Sequence, residues 1–173
     1  ISLNSISRLA LAAGFTAVLA VNAAFAQPAQ KPFEPSVGQD GKDVIWVPTP
    51  DAVVEKMLTM AKVTAEDFVM DLGSGDGRTV ITAAKQFGAR AQGIEYNPDM
   101  VELSKRRAQE AGIADKVAFM KADIFATDFS KASVITMYLL PELNLRLRPK
   151  LLEMKPGTRL VSCGLRVGPN AEF

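Results

Sequence analysis

Apolar residues along this chain follow two alternating rhythms. Short unbroken runs, such as Phe68, Val69 and Met70 with Leu72, have the length and composition of strands buried on both faces. Between such runs, apolar positions recur three and four residues apart. Val80, Ala83, Ala84 and Phe87 are one example, the stripe of an amphipathic helix. Strands are expected over residues 68–72, 89–95, 117–120 (ending near Asp123), 133–139 and 159–165. A first helix opens with Thr49 as N-cap, Pro50 at the first position and Asp51 in the first turn. It buries Val53, Val54, Met57, Leu58 and Ala61. A second follows the glycine turn after Leu72. A third starts from Asn97 as N-cap with Pro98 behind it, runs to about residue 111 and stops at Gly112. Residues 125–131 are expected as a short helix or loop. Pro141 opens a fourth helical region with Leu143, Leu147 and Leu151 on one face, and Pro149 is expected to break or restart it. Strands that alternate with helices imply an α/β fold with a doubly wound, mostly parallel sheet and right-handed crossovers.

The start of the chain has a different pattern. Arg8 is the sole charge before an apolar run over residues 9–21, and Ala24-Phe25-Ala26 has the small-x-small form of a cleavage site. Residues 1–26 therefore read as a signal peptide for export to the periplasm, with a membrane anchor or a cytoplasmic protein as the alternatives. A linker rich in Pro and Gly spans 27–43, and a domain spans 44–173, opening with a short extended piece at 44–47. No transmembrane span is expected in the mature chain.

Composition narrows the chemistry. Of 20 basic and 19 acidic residues, only Arg8 falls in the first 26, so the remainder is neutral. That balance argues against nucleic acid, whose binding rests on neutralising phosphates. With no histidine and a single cysteine, Cys163, the chain offers no Ser-His-Asp triad, no zinc cluster and no internal disulfide. No metal is expected.

The glycine turn is the strongest local signal. Gly73, Gly75 and Gly77 alternate between a strand and a helix, where bare backbone lets a ligand approach closely. Polar residues stand at four successive strand ends: Asp71, Glu95, Asp123 and Tyr138. In doubly wound sheets this is where ligands bind. Glu95 lies 22 residues after Gly73, the place of a carboxylate that accepts ribose hydroxyls. Asp123 is placed for an adenine amino group, with Ile124 against the ring. Trp46 and Thr49 are placed to close over such a ligand, or else to serve as core residue and cap. A P-loop would need a lysine in the turn, and a dinucleotide site would need G-x-G-x-x-G spacing. Asp71 and Asp76 would both repel a pyrophosphate. On charge, S-adenosylmethionine fits best.

Asp71-Leu-Gly-Ser-Gly-Asp-Gly77 with Glu95 resembles the class I S-adenosylmethionine-dependent methyltransferases, whose fold is Rossmann-like. Three more segments extend the likeness: Val47-Pro-Thr-Pro50, Gly93-Ile-Glu-Tyr-Asn97 and Tyr138-Leu-Leu-Pro-Glu142. With them the chain is similar to the protein-lysine methyltransferases that modify a mitochondrial ATP synthase or translocase subunit, and to their bacterial relatives. The resemblance implies an S-adenosylmethionine-dependent methyltransferase acting on a protein lysine. A small-molecule methyltransferase and a noncatalytic adenosyl-binding module are the alternatives. It places Asp71, Gly73 and Gly75 at the cofactor's methionine part, Glu95 at its ribose, and Asp123 with Ile124 at its adenine, with Ser74, Gly77 and Asn97 also binding the cofactor. Tyr138 and Glu142 fall at the acceptor, the first to hold an amine, with either Glu142 or bulk water to take its proton. The family's sheet usually has seven strands, so this chain is expected to be truncated after strand five, with an apolar edge exposed there.

Overall fold

A computed structural model describes residues 31–163. The expected signal at 1–26 and the expected end of the fifth strand beyond 163 lie outside the described residues. The order of elements is α1 (Asp51–Met60), β1 (Phe68–Leu72), α2 (Arg78–Phe87), β2 (Arg90–Glu95), α3 (Pro98–Glu110), β3 (Val117–Lys121), β4 (Val134–Met137), α4 (Pro141–Leu152) and β5 (Arg159–Ser162). All strand pairs are parallel, in the spatial order β3-β2-β1-β4-β5. The order reverses between β1 and β4, which opens a crevice at their carboxyl ends.

Residues of alternate parity along each strand feed separate cores. Val69, Ala91, Phe119 and Val134 pack with Val54 and Leu58 of α1, Val80 of α2 and Val101 of α3. Met70, Leu72, Ile94, Ile135 and Met137 pack with Leu143, Leu147 and Leu151 of α4 and with Phe129. Both faces of β1 and β4 are thus covered, as their unbroken apolar runs require.

Several expectations need correction. Thr49 is not the N-cap of α1. Pro50 holds that position, its carbonyl accepting from the Val53 and Val54 amides, because its fixed φ of −57° with ψ of 141° suits a cap as well as a first turn. Pro149 does not break α4. The bond its ring forgoes is to the Leu145 carbonyl, and both residues lie on the exposed side, where water serves instead. Of the two forms expected for residues 125–131, the structure has the loop, built from turns. The expected linker is ordered at its end: Gly38 N donates to Trp46 O and Trp46 N to Gln39 O, which folds residues 38–46 into a tight hairpin.

One clasp holds the edge of the sheet to α1. Arg159 of β5 donates to the carbonyls of Ala61 and Lys62, at 2.8 and 2.9 Å, and to Asp67. It thereby satisfies orphan carbonyls at the C-terminus of α1, where a cation also suits the helix dipole. Burial pushes the Asp67 carboxyl up, but the Ser133 hydroxyl, the Thr64 amide and Arg159 together hold it below its ordinary value. A lowered carboxylate adds stability above its unfolded pKa that fades as pH falls. Arg159→Met should therefore lower stability at pH 7 by about 1–3 kcal/mol in urea titration. The deficit should shrink below about pH 4, as Asp67 protonates.

Candidate active site at the glycine turn

The turn from β1 into α2 needs three left-handed residues in alternation, and Gly73, Gly75 and Gly77 supply φ values of 79°, 53° and 80°. The turn is bound to β2 from both sides. The amides of Gly73 and Ser74 donate to Ile94 O, and Gly75 N donates to Glu95 Oε2 at 2.9 Å. Glu95 Oε1 accepts from Asn97 N at 2.8 Å. A Cβ on Gly75 would stand 2.7 Å from Trp46 Nε1, so the missing side chain is the hollow in which the indole rests.

Charge in the turn is distributed unequally. Asp76 is buried, with only 3% of its side chain exposed, and it is held by Arg78 at 2.7 Å and by Arg107 of α3. Burial raises its carboxyl, yet the two guanidinium groups outweigh that and keep it below the ordinary range. Arg78 also donates to Thr49 O at 2.9 Å, which fixes the entry to α1. The expectation that Asp76 faces the ligand as a free anion is thus corrected: two arginines neutralise it. Asp71 is different. It is buried with no cation beside it, accepts from Thr136 Oγ1 at 2.6 Å, and burial pushes its carboxyl up to about 6, with Glu95 and Asp76 adding repulsion.

These groups line a crevice of about 450 Å³. One end has Tyr96, Asp123 and Ile124, with Lys42 from the hairpin pairing to Asp123 at 2.7 Å. Lys42 and the Phe125 amide hold the Asp123 carboxyl below its ordinary value. The other end has Tyr138, Leu139 and Cys163. Of the residues expected at the site, Asp71, Gly73, Ser74, Gly75, Glu95, Asp123, Ile124 and Tyr138 line the crevice. Gly77, Asn97 and Glu142 do not. Gly77 faces Phe119 and Ser104, where a Cβ would approach to 2.8 Å. The Asn97 side chain caps α3 through the amides of Asp99 and Met100. Glu142 lies exposed on the first turn of α4, outside the lining, so no base reaches the acceptor end from there.

Sequence reasoning missed Lys42 and Thr136. A signal for Thr136 existed: it is the one polar residue in Val134–Met137, and it sits in register with Asp71. Lys42 gave none, since it lies 81 residues from its partner in a polar run. Among the described residues no group of three or more His, Cys, Asp or Glu side chains is placed to hold a metal, and no helix is long and apolar enough to cross a membrane.

Residues 71–170 match the ANTKMT methyltransferase domain. The chain belongs to this methyltransferase family. It is 46% identical over 121 residues to a protein-lysine N-methyltransferase of Saccharolobus islandicus, covering 69% of this chain and 75% of that protein. It is 36% identical over 119 residues to an ATP synthase lysine N-methyltransferase of Mus musculus, covering 68% of this chain and 47% of that one. The chain spans about half the length of the ATP synthase lysine N-methyltransferases it matches. Among solved structures it is similar to an RNA methyltransferase of Salinibacter ruber in complex with S-adenosyl-L-homocysteine. That likeness has 51% identity and a TM-score of 0.71, and covers 72% of this chain and 82% of that chain. The fold, the family and the S-adenosylmethionine class of cofactor expected from the motifs agree with these relatives.

In this methyltransferase domain the raised Asp71 carboxyl sets a pH dependence. Its neutral form contributes stability that is complete below the unfolded pKa near 4 and is lost as pH rises through about 6. Asp71→Asn should match the free wild type near pH 4 and exceed its stability by about 3 kcal/mol above pH 7, in denaturation curves taken across that range.

Proposed function

We propose that this chain binds S-adenosylmethionine in the crevice and transfers its methyl group to a lysine of a protein. The observation that carries the reading is the pair of carboxylates, Asp71 and Glu95, set at the ends of β1 and β2 on either side of a bare glycine turn. The site suits the cofactor: Gly73 has a left-handed φ of 79°, which a side chain would strain, and a Cβ there would also press on Leu139 at 2.9 Å, so the turn presents bare backbone to a ligand. Bound there, the cofactor supplies an activated methyl on a cationic sulfur. The ionised Asp71 would face that cation, and Glu95 has lone pairs left for ribose hydroxyls beside its two amide bonds. The chain's own task is alignment and exclusion of water.

The acceptor end supports an amine. Tyr138 is 40% exposed at the end of β4, with its ring available to an approaching ammonium and its hydroxyl to the neutral amine. A lysine must shed a proton before its nitrogen bonds the methyl carbon and the sulfur–carbon bond breaks. With Glu142 outside the lining, that proton passes to solvent through the open mouth. RNA, the acceptor named for the Salinibacter relative, would call for free cations. Among the described residues, the two cationic ones that line the crevice are Lys42, paired to Asp123, and Arg78, paired to Asp76.

Calorimetric titration should show S-adenosylmethionine binding that strengthens as pH rises through about 6, because the cation favours ionised Asp71. The pH trend should vanish in Asp71→Asn. Glu95→Ala should weaken binding by about 10- to 100-fold. With labelled cofactor and a cell extract, label is expected in protein; label confined to RNA or to small molecules would refute the lysine assignment. Tyr138→Ala should cut transfer about tenfold or more while cofactor affinity stays within about twofold.

A further inference from the structure

Three cations tie the hairpin in front of the crevice and the chain on either side of it. Upstream, Arg106 of α3 donates to Phe33 O at 3.0 Å. Downstream, Arg78 donates to Thr49 O at 2.9 Å. Between these feet the chain rises, turns at residues 41–44 and returns, closed by its own bonds from Gly38 N to Trp46 O and from Gly41 N to Val44 O. Its turn is held to the sheet side by one polar contact, Lys42, whose ammonium lies 2.7 Å from Asp123 Oδ2 and 4.9 Å from the centre of the Tyr96 ring, and by Val44, which packs half-buried against the core around Leu72 and Leu139. Its inner surface is Trp46, seated in the hollow of Gly75.

The three attachments differ in strength. The feet are guanidinium bonds to backbone carbonyls, and the Arg78 foot is locked further by buried Asp76. The Lys42–Asp123 pair is about one-third exposed on both sides, the kind of pair that water and salt compete for. The hairpin carries its own internal bonds, so breaking one contact would swing it as a unit about its tied feet. Ile45, on the strand that returns from the tip, is 57% exposed, so apolar packing near the tip is limited to half-buried Val44.

We propose that residues 38–46 are a strap that opens and closes over the crevice, with Lys42 on Asp123 and Tyr96 as its latch and Trp46 as the element that must yield to, or cover, the bound ligand. The inference rests on the adenosyl-binding reading for its kinetic half only. Its conformational half concerns the free protein.

Trp46 is the sole tryptophan of the chain, so intrinsic fluorescence reports the strap directly. In the free full chain, acrylamide should quench Trp46 more strongly in Lys42→Met than in wild type or Lys42→Arg. With S-adenosyl-L-homocysteine as the probe, stopped-flow release should be about two- to fivefold faster in Lys42→Met. Added salt should accelerate release in wild type but not in Lys42→Met, and Lys42→Arg should restore wild-type behaviour. Equal quenching in all three proteins overturns the latch. So does tight binding with release rates that ignore both Lys42 and salt. If none of the proteins binds the probe, the adenosyl reading fails, and the quenching comparison still decides the strap.

Discussion

The architecture around the crevice depends on one buried charge, Asp76, held between Arg78 and Arg107. A carboxylate with 3% exposure is tolerable only with such partners, since removing it from water alone costs several kcal/mol (about 3–5 when a buried pair is broken). The constraint propagates outward. Arg78 opens α2, and its remaining donors reach Thr49 and Asp51 at the start of α1. Arg107 belongs to α3, whose Ser104 hydroxyl also donates to Gly75 O at 3.1 Å. Three helices, the glycine turn and one foot of the strap therefore share a single anion as their common anchor.

Because Asp76 is neutralised, the electrostatics of the crevice fall to Asp71 and Glu95. They differ in a useful way. Glu95 is tied to two backbone amides, so it stays where it is whether or not a ligand is present. Asp71 has a hydroxyl for a partner and no cation, so its ionised form is costly until a cation arrives. The free protein thus carries strain of an electrostatic kind at the position where a cationic ligand relieves it. In the proposed reading, that one carboxyl without a cation favours a sulfonium over a pyrophosphate, where the count of acids in the turn had suggested two.

Elements whose pattern is local were legible in the sequence. The apolar runs of β1 and β4, the stripe of α2 and the Asn97-Pro98 cap all carry their signal within a few residues, and the glycine spacing is readable because positive φ admits few alternatives. What failed to show was every feature made by a partner far along the chain. Asp76 looked like a ligand-facing acid because nothing near it in sequence reveals Arg107 on another helix. Gly77, placed at the ligand by its motif, packs against Phe119 and Ser104, and the Asn97 side chain serves the cap that the sequence also indicated. The hairpin over 38–46 was hidden in a run of polar, proline and glycine residues, which in isolation has the composition of a linker.

The two ends of the crevice have different physical origins, which bears on how far kinship extends to substrate. The cofactor end is built from backbone: the glycine turn, its bonds to Ile94 and the strand ends that carry Asp71 and Glu95. Any sequence that keeps the fold keeps that geometry. The acceptor end is built from side chains, with Tyr138, Leu139 and Leu140 from the loop into α4, Ile45 from the strap and Val47 just after it. Apart from Leu139, which is buried in the core, these positions are exposed and vary at little cost to the fold. Relatives of similar identity to this chain, 46% and 51%, accordingly carry the names of different acceptors, a protein lysine and RNA. Overall likeness does not discriminate between them; the charge at the mouth does. A polynucleotide brings a phosphate with every residue and is met by unpaired cations, whereas a lysine brings its own positive charge and is met by an aromatic face and apolar walls. Here Ile45, Val47, Tyr138 and Leu140 are exposed at the mouth, and Lys42 and Arg78 are already engaged with carboxylates. The mouth is complementary to a cationic side chain on an apolar surface.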